Sequence, residues 1–275
     1  MKKAALIIVS ILLIALVAVT FVACSTATVQ GQLRDVWRPY EKYTYSVSDG
    51  DNLGTYVVEI IHNEDKNVTI GTVNLENVSK GIIINGHLTI GGTEYITSCY
   101  VQLISGSSYL IPRASYKKQI VDGNVTLELG GTYADGKYNY SGTENGVVKD
   151  GSIALASPYY DNNEIHQLLR GVNGMAVGFS FSFNVPVTIG ESSSASLSAS
   201  CSTIETVTHG DNATECYVVS LARSTKVAGK SHKLYYSTKP INVDGWDLPN
   251  VLVQFVEPTA DGDVCYTLTS ISLTR

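Results

Sequence analysis

The sequence is poor in charge and has no basic cluster. Only 16% of its 275 residues are charged, and 19 basic residues face 25 acidic ones, for a net charge of -6. A protein that binds nucleic acid needs a basic surface to neutralise phosphates, so nucleic acid is excluded as a partner. The hydrophobic share of 44% provides enough apolar side chains for a core, which excludes disorder of the whole chain.

Recognisable catalytic and metal-binding motifs are also missing. The chain has no G-x-S-x-G, H-E-x-x-H, Walker or dinucleotide-binding glycine motif, no C-x-x-C and no paired histidines. We therefore expect a non-catalytic protein without a cofactor or a metal. One alternative stays open, an envelope hydrolase or isomerase with an unrecognised site around His209, Asp211 or His232, with Cys216 as a nearby nucleophile.

The one long apolar run lies at the amino terminus. Residues 4–23 carry no charge, follow Lys2 and Lys3, and end in Phe21-Val22-Ala23-Cys24 before a polar stretch. This segment resembles the lipobox of bacterial lipoproteins, although Phe21 stands where leucine is usual. The resemblance implies a signal peptide at 1–23, an acylated Cys24 that anchors the protein to a membrane, and a lipidated tether at 24–40.

Two other interpretations of this leader remain open. Its 20 apolar residues are long enough for an uncleaved membrane helix, which would make the chain a single-pass signal-anchored surface protein. An ordinary cleaved secretion signal is the other. In all three cases the basic start stays inside and residues 41–275 are exported. We expect an extracytoplasmic, membrane-anchored location, at the cell surface or in the periplasm.

The other cysteines fit an oxidising compartment. With Cys24 assigned to lipid, four remain: Cys99, Cys201, Cys216 and Cys265. An even number in an exported chain allows two disulfides with three connectivities. Unpaired thiols buried in strands are the alternative, because spacing alone does not give the geometry.

The exported part is predicted to be mainly β. Runs rich in Val, Ile, Thr and Tyr alternate with turn residues, which predicts antiparallel strands. The predicted strands are 42–48, 54–62, 67–75, 81–90, 94–105, 108–112, 116–121, 124–132, 136–142, 151–155, 176–187, 194–208, 213–223, 232–238, 250–257 and 263–274. Because no long linker interrupts them, we expect one curved sheet or half-barrel, with a split into two subdomains near 157–172 as the alternative.

One short amphipathic helix is predicted within 157–171. Asp161 and Glu164 have the spacing of a capping box, and Gly171 supplies the stop. Its apolar face contains Ile165, Leu168 and Leu169. We expect this face to cover an end or the concave side of the sheet.

The strand motifs resemble a domain-of-unknown-function family of exported bacterial β-rich proteins. The resemblance rests on residues 43–47, 54–56, 160–161, 168–171, 205–207, 216–219, 234–237 and 252–255. It implies an exported β fold and brings no established activity. Together with the leader, it leads us to expect a lipid-anchored envelope protein with a binding or structural role, which binds a hydrophobic molecule in the concavity of the sheet or an envelope partner.

Overall fold

A computed structural model describes residues 33–104, 109–189, 192–223, 231–260 and 262–274. Almost all of its regular structure is β-strand, with one short helix, α1 (Ile165–Leu168), followed by a 3-10 turn at Leu169–Gly171. The strands are β1 (Tyr40–Asp49), β2 (Asn52–Asn63), β3 (Val68–Ile70), β4 (Val73–Leu75), β5 (Gly81–Ile90), β6 (Thr93–Leu103), β7 (Leu110–Val121), β8 (Asn124–Ala134), β9 (Lys137–Glu144), β10 (Val147–Ala154), β11 (Ser180–Val187), β12 (Ser193–His209), β13 (Asn212–Arg223), β14 (His232–Ser237), β15 (Ile241–Val243), β16 (Trp246–Leu248), β17 (Leu252–Pro258) and β18 (Asp263–Ser272).

Fourteen of these described strands form one antiparallel sheet, in the order β10-β9-β8-β7-β6-β5-β2-β1-β18-β17-β14-β13-β12-β11. The sheet curls until β10 approaches β12, so it is barrel-like and nearly closed. Strands from both sides of the helix belong to it, since β1 pairs with β18. The predicted fold, a mainly β antiparallel curved sheet or half-barrel with one short helix, is confirmed.

Some predicted strands have different limits. The predicted strands 108–112 and 116–121 are one strand, β7. The predicted strand 67–75 is instead the separate hairpin β3–β4, because Gly71 turns the chain with a φ of +54° and lies directly over the Tyr116 ring. A second small hairpin, β15–β16, was not predicted because each of its strands has only three residues.

The segment 157–172 crosses the interior of the sheet. Its apolar residues Ile165, Leu168 and Leu169 are buried in the main core, as predicted. Four of its polar side chains are also completely buried: Asp161, Glu164, Gln167 and Arg170. Each therefore needs a partner inside the protein.

The predicted capping box does not form. Glu164 stands at the start of α1 without capping it by its side chain. The Asp161 carboxylate accepts the Asn163 N–H at 2.8 Å. Strands of the surrounding sheet, which form the wall of the interior, bind both side chains instead. Glu164 accepts hydrogen bonds from Thr97 and Tyr56, and Asp161 accepts one from Tyr133.

A buried ion pair fixes the end of this segment to the wall. Arg170 donates to Glu41 at 2.9 Å, and both side chains are inaccessible to solvent. Tyr43 donates to the same carboxylate, and its ring faces the guanidinium at 4.8 Å. Burial alone would lower the pKa of Arg170, but the neighbouring Tyr43 and Glu41 raise it instead, so the guanidinium stays charged.

The four described cysteines are free thiols, so the predicted disulfides do not form. Cys99 and Cys201 lie on the core side of β6 and β12, far apart in the strand order. Cys216 packs on the other face, and β14 and β17 lie between it and Cys265. Three strand spacings are roughly 14 Å, well beyond the reach of a disulfide.

The predicted signal peptide, 1–23, and Cys24 lie outside the described residues. The described residues that precede β1 pack against the fold, where Leu33 bridges to Val172 and Trp37 is buried. No helix in the described ranges is both long and apolar enough to cross a membrane.

We predict that Arg170→Met destabilises the protein by about 3 to 5 kcal/mol, because it leaves the Glu41 carboxylate buried without its counter-ion. Urea unfolding measures this loss. Lys80→Met is the matched control, since it breaks the exposed Lys80–Glu64 pair, and its unfolding midpoint should stay unchanged. Equal losses in the two variants would contradict the role of the buried pair.

Candidate ligand-binding cavity

The interior of the sheet contains a cavity with two adjoining lobes. The acidic lobe, of about 120 Å³, is lined by Tyr56, Leu88, Tyr95, Thr97, Asn163, Glu164, His166, Phe255, Glu257 and Tyr266. The aliphatic lobe, of about 170 Å³, is lined by Asn162, Asn163, Ile165, His166, Leu197, Leu221, His232, Leu234, Phe255 and Glu257. The lobes share Asn163, His166, Phe255 and Glu257, so one ligand can contact both.

The cavity lies towards one end of the sheet, which we call the mouth. The mouth carries the β1–β2 and β5–β6 turns, and the cavity residues Leu88 and Tyr95 lie two or three positions from the second turn. Tyr95 is 40% exposed, so the acidic lobe is accessible to solvent. The chain enters at the opposite end, the base, where Arg34 bridges to Tyr109 just before β7.

A hydrogen-bonded trio lines the acidic lobe. The Tyr56 hydroxyl donates to Glu164 Oε2 at 2.8 Å, and its oxygen lies 3.0 Å from His166 Nε2. Thr97 donates to the other carboxyl oxygen of Glu164. The trio joins strand β2 to the segment 157–172, which we call the central segment. The sheet and this segment therefore position the three side chains together.

Burial shifts the pKa of two of these groups in opposite directions. It raises the pKa of Glu164 to about 8, although hydrogen bonds from Thr97 and Tyr56 partly oppose the shift. Burial also lowers the pKa of His166 to about 3, with a contribution from nearby His232. At neutral pH the cavity therefore holds a protonated carboxyl group beside a neutral imidazole.

The trio needs a glycine in the wall. Gly86 lies on β5 directly against the Glu164 carboxyl, and a Cβ there would collide with Glu164 and with the Thr97 hydroxyl. Any larger residue would push the carboxyl out of place. The sequence gives no hint of this requirement, because the contact joins residues on different parts of the chain.

Stacked rings make one wall of the cavity rigid. Phe255 stacks on Tyr266 with ring centres 3.9 Å apart, and His166 also stacks on Phe255, at 4.7 Å. Tyr236 donates to the backbone carbonyl of His166, which fixes this turn of the central segment. A ligand would meet a preformed surface here.

Glu257 lies where the two lobes meet. Tyr266 donates to Glu257 Oε2 at 3.1 Å, and His232 Nδ1 lies 3.8 Å from Oε1. Its side chain is 38% exposed, so it keeps contact with solvent. This carboxyl group is positioned by the protein and still available to a ligand.

The structure does not bring the candidate catalytic residues of the sequence together. His232 lines the cavity, but His209 pairs with Asn212 at the far end of the β12–β13 hairpin and contacts Thr214. Asp211 is exposed in that turn. Leu221, the register partner of His232, is nine positions from Asn212, or roughly 30 Å along a strand. A site made of His209, Asp211 and His232 is therefore wrong.

A larger groove of about 530 Å³ lies on the outer face of the sheet, beside the β3–β4 hairpin. Its ionisable side chains already have partners, since Lys42 lies 3.3 Å from Glu59 and His87 lies 3.0 Å from Glu94. The interior cavity has the more convergent polar groups and the shifted pKa values, so it is the better candidate for a site.

The fold is similar to a solved structure, a β-barrel-like protein of the domain of unknown function DUF1849 from Brucella abortus. The two chains superpose with a TM-score of 0.50 at 9% identity, over 89% of this chain and 100% of the other. At this identity the likeness shows the fold alone, and it is consistent with the resemblance found in the strand motifs. No family model matches the sequence, and no curated protein is significantly similar to it.

We predict that Glu164 makes the protein less stable as the pH rises through neutrality. The folded protein keeps the Glu164 proton up to about pH 8, whereas the unfolded chain loses it near the ordinary pKa of 4.5. Between these values the folded state binds one more proton, so the free energy of unfolding falls by at most about 1.4 kcal/mol per pH unit.

His166 has the opposite effect only below its ordinary pKa of 6.5. The hydrogen bond with Asp35 raises the pKa of His62, so His62 also titrates between pH 6.5 and 8, equally in every variant, and the comparison with Glu164→Gln isolates Glu164. Urea unfolding of Glu164→Gln in this window should show a flatter pH profile than the wild type. Glu76→Gln, at an exposed position, should keep the wild-type profile. The same slope in all three proteins would contradict the assignment.

Proposed function

We propose that this chain is a lipid-anchored protein of the cell envelope that binds a small, largely apolar ligand in the cavity at the mouth of the sheet. The observation that supports it best is the cavity itself, with aliphatic and aromatic walls, a few convergent polar groups and shifted pKa values. Small-molecule sites have this composition.

The volume of the lobes limits the size of the ligand. An apolar cavity of about 150 Å³ holds one benzene ring. The lobes, at about 170 and 120 Å³, are each of this order. The proposed ligand therefore has the size of one or two rings, or of a short alkyl chain with a polar head.

The direction of the chain fits an anchor at Cys24. The chain enters at the base, and β1 then runs ten residues to the mouth, roughly 33 Å. A membrane attached through the preceding residues would lie on the side of the base. The mouth would then face away from the lipid surface and stay open to soluble ligands.

For the anchor, we predict that Cys24→Ala abolishes incorporation of labelled fatty acid and leaves an unprocessed precursor, because no thiol remains to take the acyl chains. Cys265→Ala is the matched control, since it removes a partly accessible thiol of the folded body and should leave labelling unchanged. Labelling of the Cys24→Ala protein would contradict the lipoprotein assignment and favour another anchor.

For the cavity, we predict that Leu221→Trp blocks binding, because Leu221 is a buried residue of the aliphatic lobe. The probes are one-ring and six-carbon compounds, each as a neutral, a cationic and an anionic form, and thermal unfolding is the readout. A compound at 100 times its Kd should stabilise the wild type by about 2.7 kcal/mol.

Thr89→Trp is the control, because it places the same side chain at an exposed strand position outside the cavity lining. It should retain the shift that Leu221→Trp loses, with the Tm of each variant first measured without ligand. Shifts in both variants would mean that the compounds bind elsewhere. No shift in the wild type with any probe would count against a small-ligand function.

A further inference from the structure

The two lobes differ in chemistry, and this difference points to the kind of ligand that fits. The aliphatic lobe contributes Ile165, Leu197, Leu221 and Leu234, together with the polar side chains of Asn162, Asn163, His166 and His232 at its borders. The acidic lobe contributes two carboxyl groups, Glu164 and Glu257, and the hydroxyls of Tyr56 and Thr97. No lysine or arginine occurs among the described residues that line either lobe.

We propose that the cavity binds a small amphiphilic amine, whose apolar body occupies the aliphatic lobe and whose ammonium group binds Glu257. This inference rests on the proposed ligand-binding function and specifies its ligand class. Glu257 lines both lobes, so its carboxylate lies where the body of such a ligand would end.

The surroundings of Glu257 suit a counter-ion for a cation. The Tyr266 hydroxyl fixes one carboxylate oxygen at 3.1 Å, and the other oxygen lies 3.8 Å from the His232 imidazole, which is longer than a direct hydrogen bond. A charge-assisted hydrogen bond from an ammonium group is stronger than one from a neutral hydroxyl. An anionic ligand would meet repulsion from the same carboxylate.

Glu164 also favours a ligand with a positive charge. Burial raises the pKa of Glu164, and the charge of nearby Glu257 adds a smaller contribution in the same direction. A cation between the two would be attracted to the Glu257 carboxylate and would favour ionisation of Glu164, whereas an anion would be repelled by Glu257. The Tyr56 and Thr97 hydroxyls already donate to Glu164, and the Tyr266 hydroxyl donates to Glu257, so these three donors of the lobe are already engaged by carboxyl groups.

The test compares benzylamine, benzyl alcohol and benzoate, which share one ring and differ in charge. Isothermal titration calorimetry with the full-length protein should show benzylamine binding at least ten times more tightly than benzyl alcohol, and benzoate binding most weakly. Glu257→Gln should weaken benzylamine at least tenfold and change benzyl alcohol by less than twofold. Glu76→Gln, an exposed acidic position away from the cavity, should change neither.

The outcomes separate the inference from the function on which it rests. Equal affinity for amine and alcohol, or no effect of Glu257→Gln on the amine, would overturn the preference for a cation and leave a neutral-ligand site standing. Tighter binding of benzoate would overturn it as well. If none of the three binds, and the wider set of probes also fails to shift the wild type, the small-ligand function itself is wrong.

Discussion

The fold depends on the pairing of a polar central segment with tyrosine hydroxyls of the surrounding wall. A strand-rich shell of this size could be filled with aliphatic side chains alone. Here the filling segment carries buried carboxyl, amide and guanidinium groups, and each would cost several kcal/mol if left without a partner. Tyrosines of the surrounding strands are the partners: Tyr45 accepts a hydrogen bond from the Gln167 amide, Tyr56 donates to Glu164 and Tyr133 donates to Asp161.

This pairing accounts for part of the excess of tyrosine over phenylalanine, 17 to 5, in the sequence. A tyrosine ring fills core volume as phenylalanine does, and its hydroxyl also satisfies a buried acceptor. Strand propensity accounts for the aromatic ring and leaves the hydroxyl unexplained. The segment 157–172 supplies a reason for four of these hydroxyls, those of Tyr45, Tyr56, Tyr133 and Tyr236. The acidic lobe is one place where such a pair, Tyr56 and Glu164, borders open space.

Local patterns in the sequence were sufficient for the strands, the antiparallel order and the short helix with its apolar face. They were not sufficient for Glu164, whose spacing from Asp161 suggested a cap. A capping box is a local interaction worth about 1 kcal/mol, and burial against Thr97 and Tyr56 outweighs it. The cavity residues were missed for a similar reason, because His166, Glu257 and Gly86 come together only when the sheet closes.

Closure of the sheet also determines which ionisable groups have shifted pKa values. On an open sheet, Glu164 and His166 would be hydrated, with ordinary pKa values, and Glu257 would be one surface charge among many. Enclosure removes water, which raises the pKa of one group and lowers that of the other. The segment that fills the shell thus also creates the site, because it stops short of filling the mouth and leaves polar groups at the edge of the remaining space. A change that loosens the Arg170–Glu41 pair at the base would therefore act on the cavity as well, since both lie on the same short segment.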